Sequence, residues 1–273
     1  MSWDLTTALA LVALGVGVGA FGTVVGAGGG FVLTPVLLLL YPHDSAQTLT
    51  AISLTAVFFN AASGSVAYLR QRRVDVRSGA VFAAATLPGA VGGALLVGVV
   101  SRHVFDALMG GVLGLLALWL LTGERWRPRP ARRGVRRRVL VDRAGLLHEY
   151  DVPLLRGALY SLVVGFVSSF LGIGGGVIHV PLLVRALGFP THVATATSHF
   201  VLAWMAGTGT ITHVFAGSFG GGHGVRRALA LSVGVVVGAQ AGARISQRLH
   251  GQHIERLLAV ALLALAVRLL AAI

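Results

Sequence analysis

The sequence predicts an all-α polytopic integral membrane protein made of two homologous repeats, and three observations predict it. Apolar residues fill 55% of the 273 positions and charged ones only 11%, whereas roughly a quarter of the residues in a soluble domain are charged. A run of three adjacent glycines inside an apolar stretch occurs twice, as TVVGAGGGFVLTPVLL at 23–38 and as SSFLGIGGGVIHVPLL at 168–183. The arginines gather between the apolar stretches rather than within them.

Taken in order, the apolar stretches are 5–21, 49–69, 78–100, 104–121, 157–171, 193–215, 228–243 and 254–273. Each is at or near the length of a membrane-crossing helix. The start, Met1-Ser2-Trp3-Asp4, carries an acid where a signal peptide has a basic region, so no cleavable leader is expected. The chain has no cysteine, which excludes disulfides, thiolate metal sites and a cysteine nucleophile.

A net charge of +13 would suggest nucleic acid in a soluble protein. Here nine arginines lie within 125–143 and four within 70–77, both between apolar stretches. That is the positive-inside pattern of cytoplasmic loops. No nucleic-acid partner is expected, and these arginines need bind nothing more specific than anionic lipid. The expected organisation is a membrane repeat at 1–122, a basic cytoplasmic loop at 123–155 and a second membrane repeat at 156–273. Within the loop, RRVLVDRAGLLHEYDV alternates about a turn at Arg143-Ala144-Gly145, a β-hairpin pattern too short to hold its own core.

The repeat is explicit. GAGGGFVLTPVLLLL at 26–40 lies over GIGGGVIHVPLLVRA at 172–186, so that Pro35 falls on Pro181. After a slip of one residue TAISL at 50–54 meets TATSH at 195–199; further on, GAVGGALL at 89–96 lies over GAQAGARI at 238–245.

A single helix over 5–41 would be roughly 55 Å long, well beyond a hydrocarbon core of about 30 Å. The glycines therefore break it, and backbone freed in lipid has to be buried in protein or line a polar cavity. The broken element is either a long kinked span or a re-entrant hairpin, and the loop arginines fit both. The re-entrant form leaves an odd number of crossings per half and so inverts the second repeat, the arrangement expected here.

Each triplet opens a short helix whose free N–H groups and positive dipole end suit an anion. Gly28, Gly29, Gly30, Gly174, Gly175 and Gly176 are the expected cradle; close helix packing is the competing explanation. Ser53, Asn60, Ser198 and His199 are the polar residues expected to complete the site, because intramembrane polar groups face a partner or a cavity. Thr and Ser can instead bond their own helix carbonyls. Asn60 cannot, and a histidine can also carry a proton. His179, His213 and Gln240 are weaker candidates. No carboxylate falls securely within a span, which argues against an acidic proton relay.

Enzyme chemistry finds little support. AGSFG at 216–220 is a poor serine-nucleophile context, HEYDV at 148–152 is not HExxH, and neither glycine run completes a nucleotide-binding motif. A passive anion channel is the nearer rival.

The paired GxGGG…P segments, the TSH-like stretch after each, YLRQRRVDVRSG at 68–79 and the GAR of the seventh segment together resemble the TauE/SafE sulfite exporter family over nearly the whole chain. The resemblance implies a multi-pass transporter of the cytoplasmic membrane. It would export a small anion, of the sulfite or organosulfonate class, coupled to a proton or ion, as a monomer or an oligomer and without metal or organic cofactor. Members often show Thr-Ser after the first break; this chain has Ile52-Ser53 there and keeps Thr197-Ser198 in the second half. Asn60 aligns with Met205, so the site need not be symmetric.

Overall fold

The computed structural model describes residues 4–121, 135–220, 222–248 and 251–270. Arginines 125–133 of the basic run and the chain end after 270 lie outside these. Ten α-helices and one β-hairpin make up the described residues: α1 (Leu5–Val25), α2 (Gly30–Leu40), α3 (Ala46–Arg70), α4 (Val76–Leu96), α5 (Arg102–Leu121), β1 (Val135–Val141), β2 (Leu147–Pro153), α6 (Leu154–Leu171), α7 (Gly176–Pro181), α8 (Thr191–Phe215), α9 (Gly222–Ser246) and α10 (Gly251–Leu270). Six of the helices are long and apolar enough to cross a membrane. The chain is a multi-pass, all-α membrane protein carrying one small hairpin.

The element order of α1–α5 returns in α6–α10. Asp4 starts α1 by accepting a 2.7 Å hydrogen bond from the Thr7 amide. The helix ends at Gly26, whose φ of 75° is left-handed. Gly172 ends α6 in the same way, with φ of 68°. Pro35 lies inside α2. After Pro181, which has no N–H to give, α7 continues as one π turn, Leu182–Ala186.

Glycines set how the helices pack. A methyl group at Gly15 would lie 2.6 Å from the Leu231 carbonyl, and methyls at Gly238 and Gly242 would overlap the Val16 and Ala20 carbonyls. The numbers rise together, so α1 and α9 run parallel in backbone contact. Likewise Gly89 and Gly93 press on the Leu162 and Phe166 carbonyls, and α4 runs parallel to α6. Lipid tails give no hydrophobic drive between helices, so such close approach is what holds them.

The pair α3 and α8 runs the other way. Gly64 faces His199, while Gly207 and Gly209 face Phe58 and Leu54. Because these two helices are equivalent in the repeat, the halves stand antiparallel. Helix α9 also runs parallel to α3, since Ser63 Oγ donates to the Val236 carbonyl and Gln71 Nε2 to that of Ala243. Thus α1 and α3 point the same way, and α2 has to turn back between them. It does: the Phe21 and Phe31 rings lie 5.9 Å apart across the α1–α2 turn. Arg102, opening α5, donates to the Leu38 and Asp44 carbonyls where that turn-back ends. Arg185, ending the second turn-back, donates to Trp119 and Leu120 at the end of α5. The two helical hairpins therefore enter from opposite ends of the bundle.

The β-hairpin pairs Val135 with Pro153 through Val141 with Leu147. It is pinned to the start of α4, where Arg138 Nε and Tyr150 Oη both reach the Asp75 carboxylate. Burial and the Asp75 charge push the Tyr150 hydroxyl pKa well up, so it stays a neutral donor.

Replacing Gly238 with Val should cost about 1–3 kcal/mol of stability by prying α9 from α1. Gly17→Ala, with open space around it, should cost nothing. Thermal unfolding in detergent separates the two; equal midpoints would mean that the α1–α9 contact does not hold the fold.

Candidate functional site

The two hairpin tips meet inside the bundle. Gly26, Gly28 and Gly29 have φ of 75°, 72° and 81°, and Gly172, Gly174 and Gly175 have φ of 68°, 70° and 34°, where a side chain would be strained. A methyl at Gly30 would lie 2.7 Å from the Ile173 carbonyl oxygen, and one at Gly176 would overlap that of Gly26. Val57 of α3 packs on Gly28, Gly30 and Gly174, Leu202 of α8 on Gly28, and Met205 of α8 on Gly175. Tip-to-tip packing thus accounts for much of each triplet. Each tip also leaves donors over: among the described residues no hydrogen bond is made by the N–H groups of Gly29, Gly30 and Phe31, nor by those of Gly175 and Val177.

Around the tips the polar residues expected from sequence fall into two clusters rather than one. At the tip of the second hairpin, the Thr34 and Ser53 hydroxyls lie 2.8 Å from each other and each 2.8 Å from the Gly172 carbonyl oxygen. They answer the last carbonyl of α6. At the tip of the first, Ser198 donates to the Gly26 carbonyl at 3.4 Å, the equivalent contact in the other half.

The first tip carries more. Thr23 Oγ1 donates to Asn60 Oδ1 at 3.1 Å and lies 3.4 Å from His199 Nε2. Tyr68 Oη donates to the Thr23 carbonyl at 2.7 Å, and its ring meets the imidazole edge-on at 5.7 Å. Asn60 and His199 are fully buried. Asn60 Nδ2 and His199 Nδ1 nevertheless have no hydrogen-bond partner, nor does Thr195 Oγ1 beside them. An unanswered buried group of this kind costs about 1–3 kcal/mol; near the second tip the Thr50, Ser168 and Ser169 hydroxyls are unanswered too.

By the repeat, Thr23, Asn60 and His199 correspond to Ser169, Met205 and Leu54. The frame is shared and the chemistry is not. Ser53 therefore stands apart from Asn60, Ser198 and His199, while the six triplet glycines come together between the clusters. The side chains of His179, His213 and Gln240 pair instead with Ser161, Ser218 and Ser63. Sequence reasoning passed over Thr23, Thr34 and Tyr68. The first two open and nearly close the first glycine stretch and Tyr68 opens the basic motif, but a hydroxyl in a helix has too many ordinary uses to stand out.

Thr34 and Ser53 share one carbonyl, so either alone can answer it. Thr34→Val and Ser53→Ala should each cost about 1 kcal/mol, and the double variant about 1–3 kcal/mol beyond their sum. Additive losses in chemical or thermal unfolding would show that the carbonyl does not need them.

Comparison with known proteins agrees with this architecture. The family model described as Sulfite exporter TauE/SafE matches residues 11–269. The chain is 30% identical over 267 residues to the "Probable membrane transporter protein YunE" of Bacillus subtilis, covering 95% of this chain and 96% of that one. It is 22% identical over 258 residues to a "Probable membrane transporter protein" of Methanocaldococcus jannaschii, covering 91% and 90%. A third of the same description, from Sinorhizobium, is 28% identical over 245 residues, covering 90% and 86%. No solved structure matches the chain. A match to this family model over nearly the whole chain, with a relative 30% identical along its length, places the chain in the TauE/SafE sulfite exporter family of membrane transporters.

Proposed function

We propose that the protein exports a small oxyanion, sulfite or an organosulfonate, across the cytoplasmic membrane by alternating access. The observation that carries this reading is the buried Thr23–Asn60–His199 cluster with two unanswered nitrogens, set beside a hairpin tip whose backbone N–H groups are unused. Donors without a charged counterpart select an anion, and the amide and imidazole suit oxygen acceptors. Asn60 Nδ2, the free amides at Gly29–Phe31 and, when protonated, His199 Nδ1 would bind it. No carboxylate shares the cluster, so His199 is the group to take a coupling proton with the anion.

Alternating access is favoured over a channel because Val57, Leu202 and Met205 close on the tips between the two polar clusters. A pore would need a continuous polar path there. The β-hairpin end, with Arg70, Arg72, Arg73 and Arg77, is assigned to the cytoplasm, the α1 and α2 hairpin is re-entrant from outside, and the repeats are inverted.

Four outcomes test this. Saturable sulfite uptake into inside-out proteoliposomes should respond to an imposed pH gradient, with sulfate and a small sulfonate ranking as competitors. Asn60→Leu should lower kcat/KM by about tenfold or more. His199→Gln should keep measurable uptake but lose its response to the gradient; a variant still stimulated like the parent removes the proton role. For topology, single cysteines at Leu5 and Pro42 should label from outside and one at Asp151 from inside. Leu5 and Pro42 on opposite sides would make the first broken element a span.

A further inference from the structure

The end of the bundle that carries the β-hairpin holds a cavity of about 480 Å³, open to solvent, between the hairpin turn and the ends of α3 and α9. Three guanidiniums line it, Arg73, Arg143 and Arg248, with His148, His192 and a single carboxylate, Asp142. That carboxylate is already engaged. It accepts from the Ala144 and Leu146 amides and sits 3.5 Å from His148 Nε2. Burial alone would raise its pKa, but these contacts outweigh burial and keep it below the usual carboxylate value, so it stays ionised without pairing to an arginine.

Arg73 is the unusual member. It is 5% exposed, yet its partners are neutral: Nη1 donates to Gln71 Oε1 at 3.1 Å, and Nη2 lies 2.7 Å from His192 Nδ1. Burial, the largest influence on it, draws its pKa down against the opposing pull of the nearby Asp142 charge, which does not reach ion-pair distance. A buried guanidinium is ordinarily matched by a carboxylate or phosphate, and none of the described carboxylates forms an ion pair with it, nor with Arg143 or Arg248.

The cavity also lies next to the inner cluster. The Arg73 guanidinium carbon sits 5.4 Å from the centre of the Tyr68 ring, and the same ring meets the His199 imidazole edge-on at 5.7 Å. Tyr68 thus touches both Arg73 and the buried donor cluster. We propose that this cavity binds a free, doubly charged oxyanion in an outer site, ahead of the inner cluster and partitioned from it by Tyr68. The antechamber role rests on the transport reading above; the binding itself does not. Matched charge in a concave site would raise the local anion concentration at the mouth.

The cysteine-free chain allows a direct test with inorganic sulfate as the probe. Gln247 lines the cavity and is exposed, so Gln247→Cys reports occupancy through its rate of labelling by neutral N-ethylmaleimide. In nanodiscs of neutral lipid, sulfate should slow labelling by about fivefold against chloride at matched ionic strength, because two or three charge-assisted contacts hold it. Adding Arg143→Gln and Arg248→Gln, both at exposed positions, should remove that protection while thermal stability holds. Equal rates in sulfate and chloride, or protection that survives in the triple variant, overturns the site. Protection by anionic lipid without sulfate also overturns it, since the occupant is then a headgroup phosphate. Transport by the parent without protection defeats the outer site alone. Protection without transport leaves the site standing and defeats the export reading.

Discussion

Everything in this molecule follows from breaking a helix where water cannot reach. A broken helix exposes carbonyls and amides that hydrocarbon does not satisfy, each at a cost of several kcal/mol. Here the last carbonyl of α6 is met by Ser53 and Thr34 of the first half, and that of α1 by Ser198 of the second. Each hairpin is completed by a helix from the other repeat. The same exchange governs packing, with α1 lying on α9 and α6 on α4. Each break is met in part from the other half, so the two halves form one structural unit.

Close approach is the second consequence. Two hairpin tips can share the middle of the bundle only if both are nearly all backbone. The triplets meet that demand through positive φ at Gly28, Gly29, Gly174 and Gly175 and through contact at Gly30 and Gly176. The same absence of side chains leaves amides uncovered. Packing and anion binding are therefore compatible explanations of one feature, because the geometry that lets the tips meet also exposes their donors.

The repeat, the breaks and the membrane class were legible because they depend on patterns of composition: apolar length, glycine runs and prolines at equal spacing. Asn60 and His199 stood out because neither satisfies itself on its own helix. What stayed hidden depends on pairing across the fold. Nothing in the sequence places Thr23 beside Asn60, since the contact arises only when α1 turns back and α3 follows it in parallel. Ser53 and Ser198 look like members of one site from their equivalent positions. That equivalence is the reason they separate, for antiparallel halves carry equivalent residues to opposite tips. Arg73 reads as one more basic loop residue until burial and the Tyr68 ring distinguish it.

The difference between the halves bears most on mechanism. Under the proposed alternating access, an antiparallel duplication would supply two arrangements of similar energy, because the contacts of one state would be copies of those of the other. A strictly symmetric molecule would have no preference between them, and a ligand biases such an equilibrium only by its difference in affinity for the two states. Where the second half has Ser169, Met205 and Leu54, the first tip has Thr23, Asn60 and His199, so the unanswered side-chain nitrogens of this set fall at the first tip, while the second keeps unanswered hydroxyls at Thr50, Ser168 and Ser169. An anion held there, as proposed, would stabilise the arrangement that encloses that tip more than the other. On the export reading, divergence between the repeats is what gives the exchange a direction to couple to, and the end bearing Tyr68 and the arginines is where the anion meets it first.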